Sequence, residues 1–308
     1  MTYCRRQFRG ASCRVLVGVL LLSISALGCG PDRGDGSFDE QTFEDAGTED
    51  TESDASVALG EGPGAGTMTG TWMLVHERSS CVLGQEQVTL ATYRVRIDQD
   101  GALLEESRAA CAMELSPVLG LSVRIPGNVL ESVEFVDVDT GLVSSLREGG
   151  RYVSSTEVSL WGVELENPQT DPVPTEADDP AVVDADGDGQ PGVTYVIGNN
   201  ECERYNSQRQ LNRYSGEFVK PNLVEGESTS VTDLEVYGGS QDTCAIAPDI
   251  ISNDRLNRWK MARIDGAGGA LDADSDGDGE VSCDELLAVE QTLIEQREPE
   301  RDNCEGVR

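Results

Sequence analysis

From Gly70 onward the chain is written in short apolar or alternating runs, each closed by turn residues. That rhythm restricts the available folds more than any other property of the sequence. Runs at 72–75, 88–97, 121–125, 133–138, 158–163, 193–197, 216–223 and 231–237 each have the length and pattern of a strand. Asp98-Gln99-Asp100-Gly101 follows the second run and predicts a hairpin turn. Residues 103–115 fit a strand or a helix equally. Residues 167–184 are rich in Pro, Asp, Glu and Thr, which predicts a surface loop or a break between sub-domains. Many strands with few helical patterns predict a mainly β fold over 69–265, an antiparallel barrel or sandwich.

The chain of 308 residues carries 57 acidic against 23 basic residues, a formal net charge of −34. Such a surface repels nucleic acid and anionic headgroups and attracts divalent cations. Nucleic acid is therefore excluded as an expected partner. Solubility accounts for much of the acid.

Residues 1–14 hold four arginines and no acid, and a largely apolar run of thirteen follows from Val15 to Leu27. A bilayer span takes about 20 residues, so this run reads as the core of an export signal. It ends Ser25-Ala26-Leu27-Gly28-Cys29, which resembles the lipobox of bacterial lipoproteins. The resemblance implies a signal peptide over 1–28, cleavage before Cys29 and a lipid on its thiol. It places the protein outside the cytoplasm, anchored at a bacterial membrane, with Gly30 after the cysteine favouring the outer membrane. An ordinary signal peptidase would also accept Ala26 and Gly28. Arg5-Arg6-Gln7-Phe8 resembles part of a twin-arginine signal. Residues 29–68 are acidic, rich in Gly, Ser and Thr, and too poor in large apolar side chains to offset the entropy of ordering. They read as a flexible tether, spanning about 35 Å root-mean-square.

Nine cysteines occur. Cys4 and Cys13 leave with the signal and Cys29 takes the lipid, so Cys81, Cys111, Cys202, Cys244, Cys283 and Cys304 remain. An even set in an exported protein predicts three disulfides. Connectivity is not readable from sequence. Cys283 with Cys304, bracing one C-terminal segment, is the first expectation and Cys81 with Cys111 the second.

Asp274-Ser-Asp-Gly-Asp-Gly-Glu-Val-Ser-Cys-Asp-Glu285 has the spacing of an EF-hand calcium loop and resembles that family at every position. The resemblance implies Ca2+ held by the carboxylates of Asp274, Asp276 and Asp278, the backbone carbonyl of Glu280, Ser282 directly or through water, and both oxygens of Glu285. Gly279 stands at the sharp turn. Ser282 and Glu285 also have the spacing of a capping box. Leu286, Val289 and Leu293 recur at helical spacing and predict an exit helix, so 266–308 reads as a calcium loop plus helix. Gly266-Ala-Gly-Gly-Ala270 makes a poor incoming helix, and 253–264 fits helix or extended chain. The arrangement is similar to the loop-and-exit-helix half of dockerin modules, in one copy. A lone exported site needs to bind only at ~10⁻⁴–10⁻³ M, which suits a structural role rather than a switch.

Asp184, Asp186 and Asp188 repeat the alternating triad, with Gly189 at the turn and Gln190 as a candidate fourth ligand. The run into 193–197 resembles the calcium loops of integrin-type propeller repeats, with Gly192 where those have Asp. A second metal site and a solvated turn both fit.

Gly70-Thr71-Trp72 resembles the opening of lipocalin-like barrels, and Trp259 beside Arg258 suits a last strand. A tryptophan that simply plugs the end of a core is the favoured reading of these three residues. No catalytic constellation stands out. There is no Gly-x-Ser-x-Gly, Cys-x-x-Cys or His-Glu-x-x-His, and the only histidine, His76, reads as a strand-end residue. The sequence therefore predicts a non-catalytic, calcium-binding, lipid-anchored protein with no identified protein partner. A lipocalin-like carrier of a small apolar ligand is the alternative.

Overall fold

Strands dominate the described chain, and every pairing among them is antiparallel. They are β1 (Gly70–Val82), β2 (Gln85–Asp100), β3 (Leu103–Leu115), β4 (Val123–Arg124), β5 (Glu134–Val136), β6 (Asp139–Val143), β7 (Arg151–Ser154), β8 (Glu157–Trp161), β9 (Val193–Ile197), β10 (Cys202–Lys220), β11 (Leu223–Gly239), β12 (Ile250–Ser252) and β13 (Arg258–Arg263). Two short helices join them, α1 (Gly127–Glu131) and α2 (Cys283–Ala288). The computed structural model describes residues 66–136, 139–198, 202–289 and 293–307. Residues 1–28, Cys29 and most of the 29–68 segment lie outside them.

The pairings close a ring in the order β1, β2, β3, β6, β7, β10, β11, β13 and back to β1. It is not a plain barrel, because β10 shares one edge among three partners. Residues 202–206 pair with β9, 208–212 with β8 and 215–217 with β7, while β11 runs along the other edge. Leu83 and Gly84, both at positive φ, make the two-residue turn between β1 and β2. Gly101, at φ 63°, turns β2 into β3 as the sequence predicts.

Side chains alternate across each strand, so each strand of the ring offers one face to the interior. Trp72 and Leu74 of β1, Tyr93 and Val95 of β2, Leu104 of β3, Tyr152 of β7, Tyr214 and Phe218 of β10, and Trp259 and Met261 of β13 fill it. Trp72 donates its Nε1–H to the Met68 carbonyl (2.8 Å). The ring also encloses charge. Arg108 pairs with Glu106 (2.9 Å) and Glu157, all almost fully buried, and lies 4.7 Å from the Tyr214 ring centre. Tyr152 donates to Glu106 (2.8 Å) and Asn212 to Glu157 (2.8 Å). Each buried carboxylate is thus both paired and hydrogen-bonded, as burial of charge demands.

Two expectations for the strands are corrected, those for His76 and for 216–223, and the readings left open are settled. His76 stands mid-strand, fully buried, within 2.6 Å of Ser228 Oγ and 3.2 Å of the Tyr214 hydroxyl. Burial first, then Arg78 and Arg108, hold its pKa well below 6.5, so the ring stays neutral. Residues 216–223 are not one strand: Pro221-Asn222 turns β10 into β11. Residues 103–115 are a strand. Residues 258–263 are extended, with a short 3-10 turn before them. The 167–184 loop is fastened over β10 and β11, with Tyr237 donating to the Pro174 carbonyl (2.8 Å) and Arg209 to those of Pro168 and Asp171.

The six cysteines do form three disulfides, but not in the expected pairs. Cys81 bonds Cys304, Cys111 bonds Cys283, and Cys202 bonds Cys244. The C-terminal segment folds back across β1–β3, so Cys283 faces β3 and Cys304 faces β1. Neither Cys283–Cys304 nor Cys81–Cys111 forms.

Candidate metal centre

The 274–285 loop hangs from the end of β13. Asp265 and Asp272 form an isolated bridge, Gly266 N–H donates to Leu271 O (2.9 Å), and Ala273 N–H donates to Ile264 O (2.8 Å). Glycines at positive φ (Gly266, Gly268, Gly269) replace an incoming helix. The lower side is apolar: Ala273, Val281 and Leu286 pack with Met73, Val75, Ile264 and Ile294 on the outer face of β1. Arg94 donates to the Val281 carbonyl (2.9 Å), and Arg96 pairs with Glu280 (2.9 Å).

The acids sit on the solvent side. One carboxylate oxygen each from Asp274, Asp276 and Asp278 lies within 4.8 Å of the others. Asp274 accepts from Gly277 N–H (2.7 Å) and Gly279 N–H (2.9 Å), Asp276 from Asp278 N–H (3.1 Å), and Asp278 from Glu280 N–H (2.8 Å). These bonds need Gly277 and Gly279 at φ 75° and 87°, a region costly for side chains with a Cβ. Glu285 reaches back across the loop. Its carboxylate accepts from Ser275 N–H (2.8 Å), Asp276 N–H (3.3 Å) and Ser282 N–H (2.9 Å). Those donors, the Ser282 amide first, lower its pKa to about 2, so it is anionic in any physiological medium. Ser282 caps α2 in a complete capping box with Glu285. The exit helix is shorter than its apolar spacing suggests. It ends at Ala288, and Leu293 lies beyond it while still packing on the same cluster.

The 184–194 loop makes the same two glycine turns. Gly187 and Gly189 stand at φ 73° and 85°. Asp184 accepts from Asp188 N–H (3.1 Å) and Gly189 N–H (2.9 Å), and Asp188 from Gln190 N–H (2.8 Å). Asp184, Asp186 and Asp188 also converge within 4.8 Å. Asp186 accepts from Thr194 N–H (2.9 Å), and burial first, then its two neighbouring aspartates, raises its pKa despite that bond. Gly192 leaves no room for the aspartate of propeller loops: a Cβ there would lie 2.3 Å from the Asn206 carbonyl oxygen.

Sequence reasoning missed the charged residues inside the ring: Arg78, Glu106, Arg108, Glu157 and Arg204. Charged side chains in strands ordinarily face solvent, so nothing in the sequence marked these as inward. No known protein family, curated protein or solved structure matches this chain.

Proposed function

We propose that this is an exported, lipid-anchored protein without catalytic activity, whose 274–285 loop binds calcium and thereby orders the C-terminal segment against the β-domain. The observation that carries the reading is the convergence of three aspartates, with the anionic Glu285 closing the loop from α2. Three crowded carboxylates supply the hard oxygens that a divalent cation of this size requires, and the glycine turns supply the tight path between them. The loop's apolar underside makes ion binding and docking on β1 one event. The 184–194 loop is a second calcium site of the same geometry with fewer ligands. Pairing of all six described cysteines suits an oxidising compartment. No helix among the described residues is long and apolar enough to cross a membrane, so the anchor in this reading is the lipid on Cys29.

Calorimetric titration with calcium tests the metal site. Binding in the range ~10⁻⁴–10⁻³ M or tighter is expected, lost at this loop in Asp274→Ala and Glu285→Gln, with a rise in melting temperature that those variants lack. Asp184→Ala removes only the second event. No heat above buffer at millimolar calcium would refute the site. Cys29→Ser tests the anchor: continued palmitate labelling and membrane partitioning of that variant would refute it. The lipocalin-like carrier has narrower support. The middle of the ring is occupied by Trp259, Tyr214, Tyr152 and Arg108, and open space lies toward one end.

A further inference from the structure

At the end of the ring where β1 turns into β2, the side chains stop filling the interior. A cavity of about 450 Å³ opens there, walled chiefly by Leu115, Val123, Ile197 and Leu234. Its rim carries Leu83, Leu119, Leu121 and Ile246, each more than half exposed. Four large aliphatic side chains in water around one opening are unusual on a chain with so many charges. The wall is not wholly apolar. Arg204 and Gln208 of β10 and Tyr195 of β9 line it as well.

Arg204 is the informative residue. It is only 8% exposed, and no carboxylate among the described residues pairs with it. Its Nε makes no hydrogen bond, and its guanidinium lies 6.0 Å from the Tyr195 ring centre. Other arginines set into the fold differ: Arg108 has Glu106 and Glu157, Arg209 has Asp233, Arg263 has Asp265, and Arg297 has Glu77 and Glu86. In a chain with 57 acids, a buried cation facing an apolar cavity with no counter-charge among the described residues is a placed feature, since an unpaired buried charge is costly. Burial lowers its pKa, in keeping with the missing partner. Arg78 of β1, also 8% exposed and with an unpaired Nε, adds a second positive charge near Tyr195.

We infer that this mouth binds a single-chain anionic amphiphile, a fatty-acid-like carboxylate whose head group meets Arg204 and Gln208 and whose hydrocarbon chain lies along the leucine wall toward the rim. The volume falls in the ordinary range for small-ligand sites, roughly 300–1,000 Å³. Apolar walls supply affinity and the buried cation selects the head group.

The test is calorimetric titration of the full, disulfide-bonded protein with dodecanoate and dodecanol below their aggregation limits. Dodecanoate is expected to bind one-to-one, at least tenfold more tightly than dodecanol. Arg204→Gln is expected to erase that preference while leaving dodecanol binding in place, and Arg204→Lys to keep part of it. If Arg204→Gln does not fold, the acid-over-alcohol ratio of the natural protein together with Arg204→Lys decides. Equal affinity for acid and alcohol would overturn the inference. So would unchanged acid binding in Arg204→Gln, or uptake only at micellar concentration or only into phosphatidylcholine vesicles. The last result would give the rim to a bilayer surface instead.

Discussion

Cutting the Cys111–Cys283 bridge in a Cys111→Ser/Cys283→Ser variant separates β3 from the helix that closes the 274–285 loop. The bridge spans 172 residues and nests inside Cys81–Cys304, which spans 223. With the outer bridge intact, the shortest covalent circuit from Cys111 to Cys283 passes through Cys81 and Cys304 and counts about 50 residues. Chain-entropy reasoning gives about 4 kcal/mol for a loop of that length, against about 5 for the full 172-residue loop. For a domain of this size each kcal/mol corresponds to about 2–4 °C in melting temperature, so a fall of about 8–16 °C is expected. Urea unfolding with calcium chelated, after mass spectrometry confirms the two remaining bridges, measures it. Cys283 lies two residues before Glu285, so calcium affinity is expected to fall at least fivefold in the same variant. A stability loss under about 1 kcal/mol, or calcium affinity unchanged, would refute the account of the bridge as the clip holding the loop's closing end in place.

Arg108→Leu leaves Glu106 and Glu157 buried without their counter-charge, and a loss of about 3–5 kcal/mol in urea unfolding is expected. Glu86 accepts from Arg297, Ser79, the Glu300 amide and Asn303, and these bonds outweigh burial to bring its pKa from 4.5 to about 2. A depressed folded pKa means that its contribution is complete above about pH 4.5 and is lost as pH falls toward 2. Hydrogen exchange in 294–304 is therefore expected to accelerate in that window, and in Glu86→Gln to be fast already at pH 6. Gly192→Ala places a Cβ 2.3 Å from the Asn206 carbonyl oxygen at φ 82°, and a loss of more than about 1–3 kcal/mol is expected by thermal melting.

The strands that could be read from sequence are those whose inward residues are apolar. Trp72–Leu74, Val88–Ile97 and Val193–Ile197 alternate or run apolar because each presents them to the core. Strand β10 is the longest and was almost invisible. Its inward positions are Arg204, Asn206, Gln208, Gln210, Asn212 and Tyr214, so its alternation is polar against polar. Hydrophobic period carries no signal where a strand turns amides and a guanidinium inward. The convergence of Asp274, Asp276 and Asp278 was legible for the opposite reason: their spacing and the glycine turns are local, fixed by backbone geometry within twelve residues. The disulfide pairing was not, because it depends on the C-terminal segment returning over β1 and β3. Only tertiary packing decides that, through Val281, Leu286 and Ile294 on the far face of Met73 and Val75.

The two aspartate loops share their glycine turns and converging triads but not their closing residue, and the difference lies in the element that each loop leads into. After 274–285 the chain enters a helix rather than a strand, so the closing position can be Glu285, whose carboxylate turns back toward the loop. After 184–194 the chain enters β9, and the equivalent position is Tyr195. That side chain is claimed by the core, 4% exposed, edge-on to Trp161 at 6.4 Å and within hydrogen-bonding distance of Gln208. The sheet has taken the residue from which a closing carboxylate would come. Thr194 compensates in part, its hydroxyl donating to Asp188 (2.5 Å) and its amide to Asp186. Those bonds hold the carboxylates in place without adding an oxygen anion. Affinity for calcium rises with ligand charge and rigidity, so, on the proposed function, a calcium titration is expected to find the C-terminal loop the tighter of the two. On that proposal the 184–194 loop therefore fills second, at the higher calcium concentration.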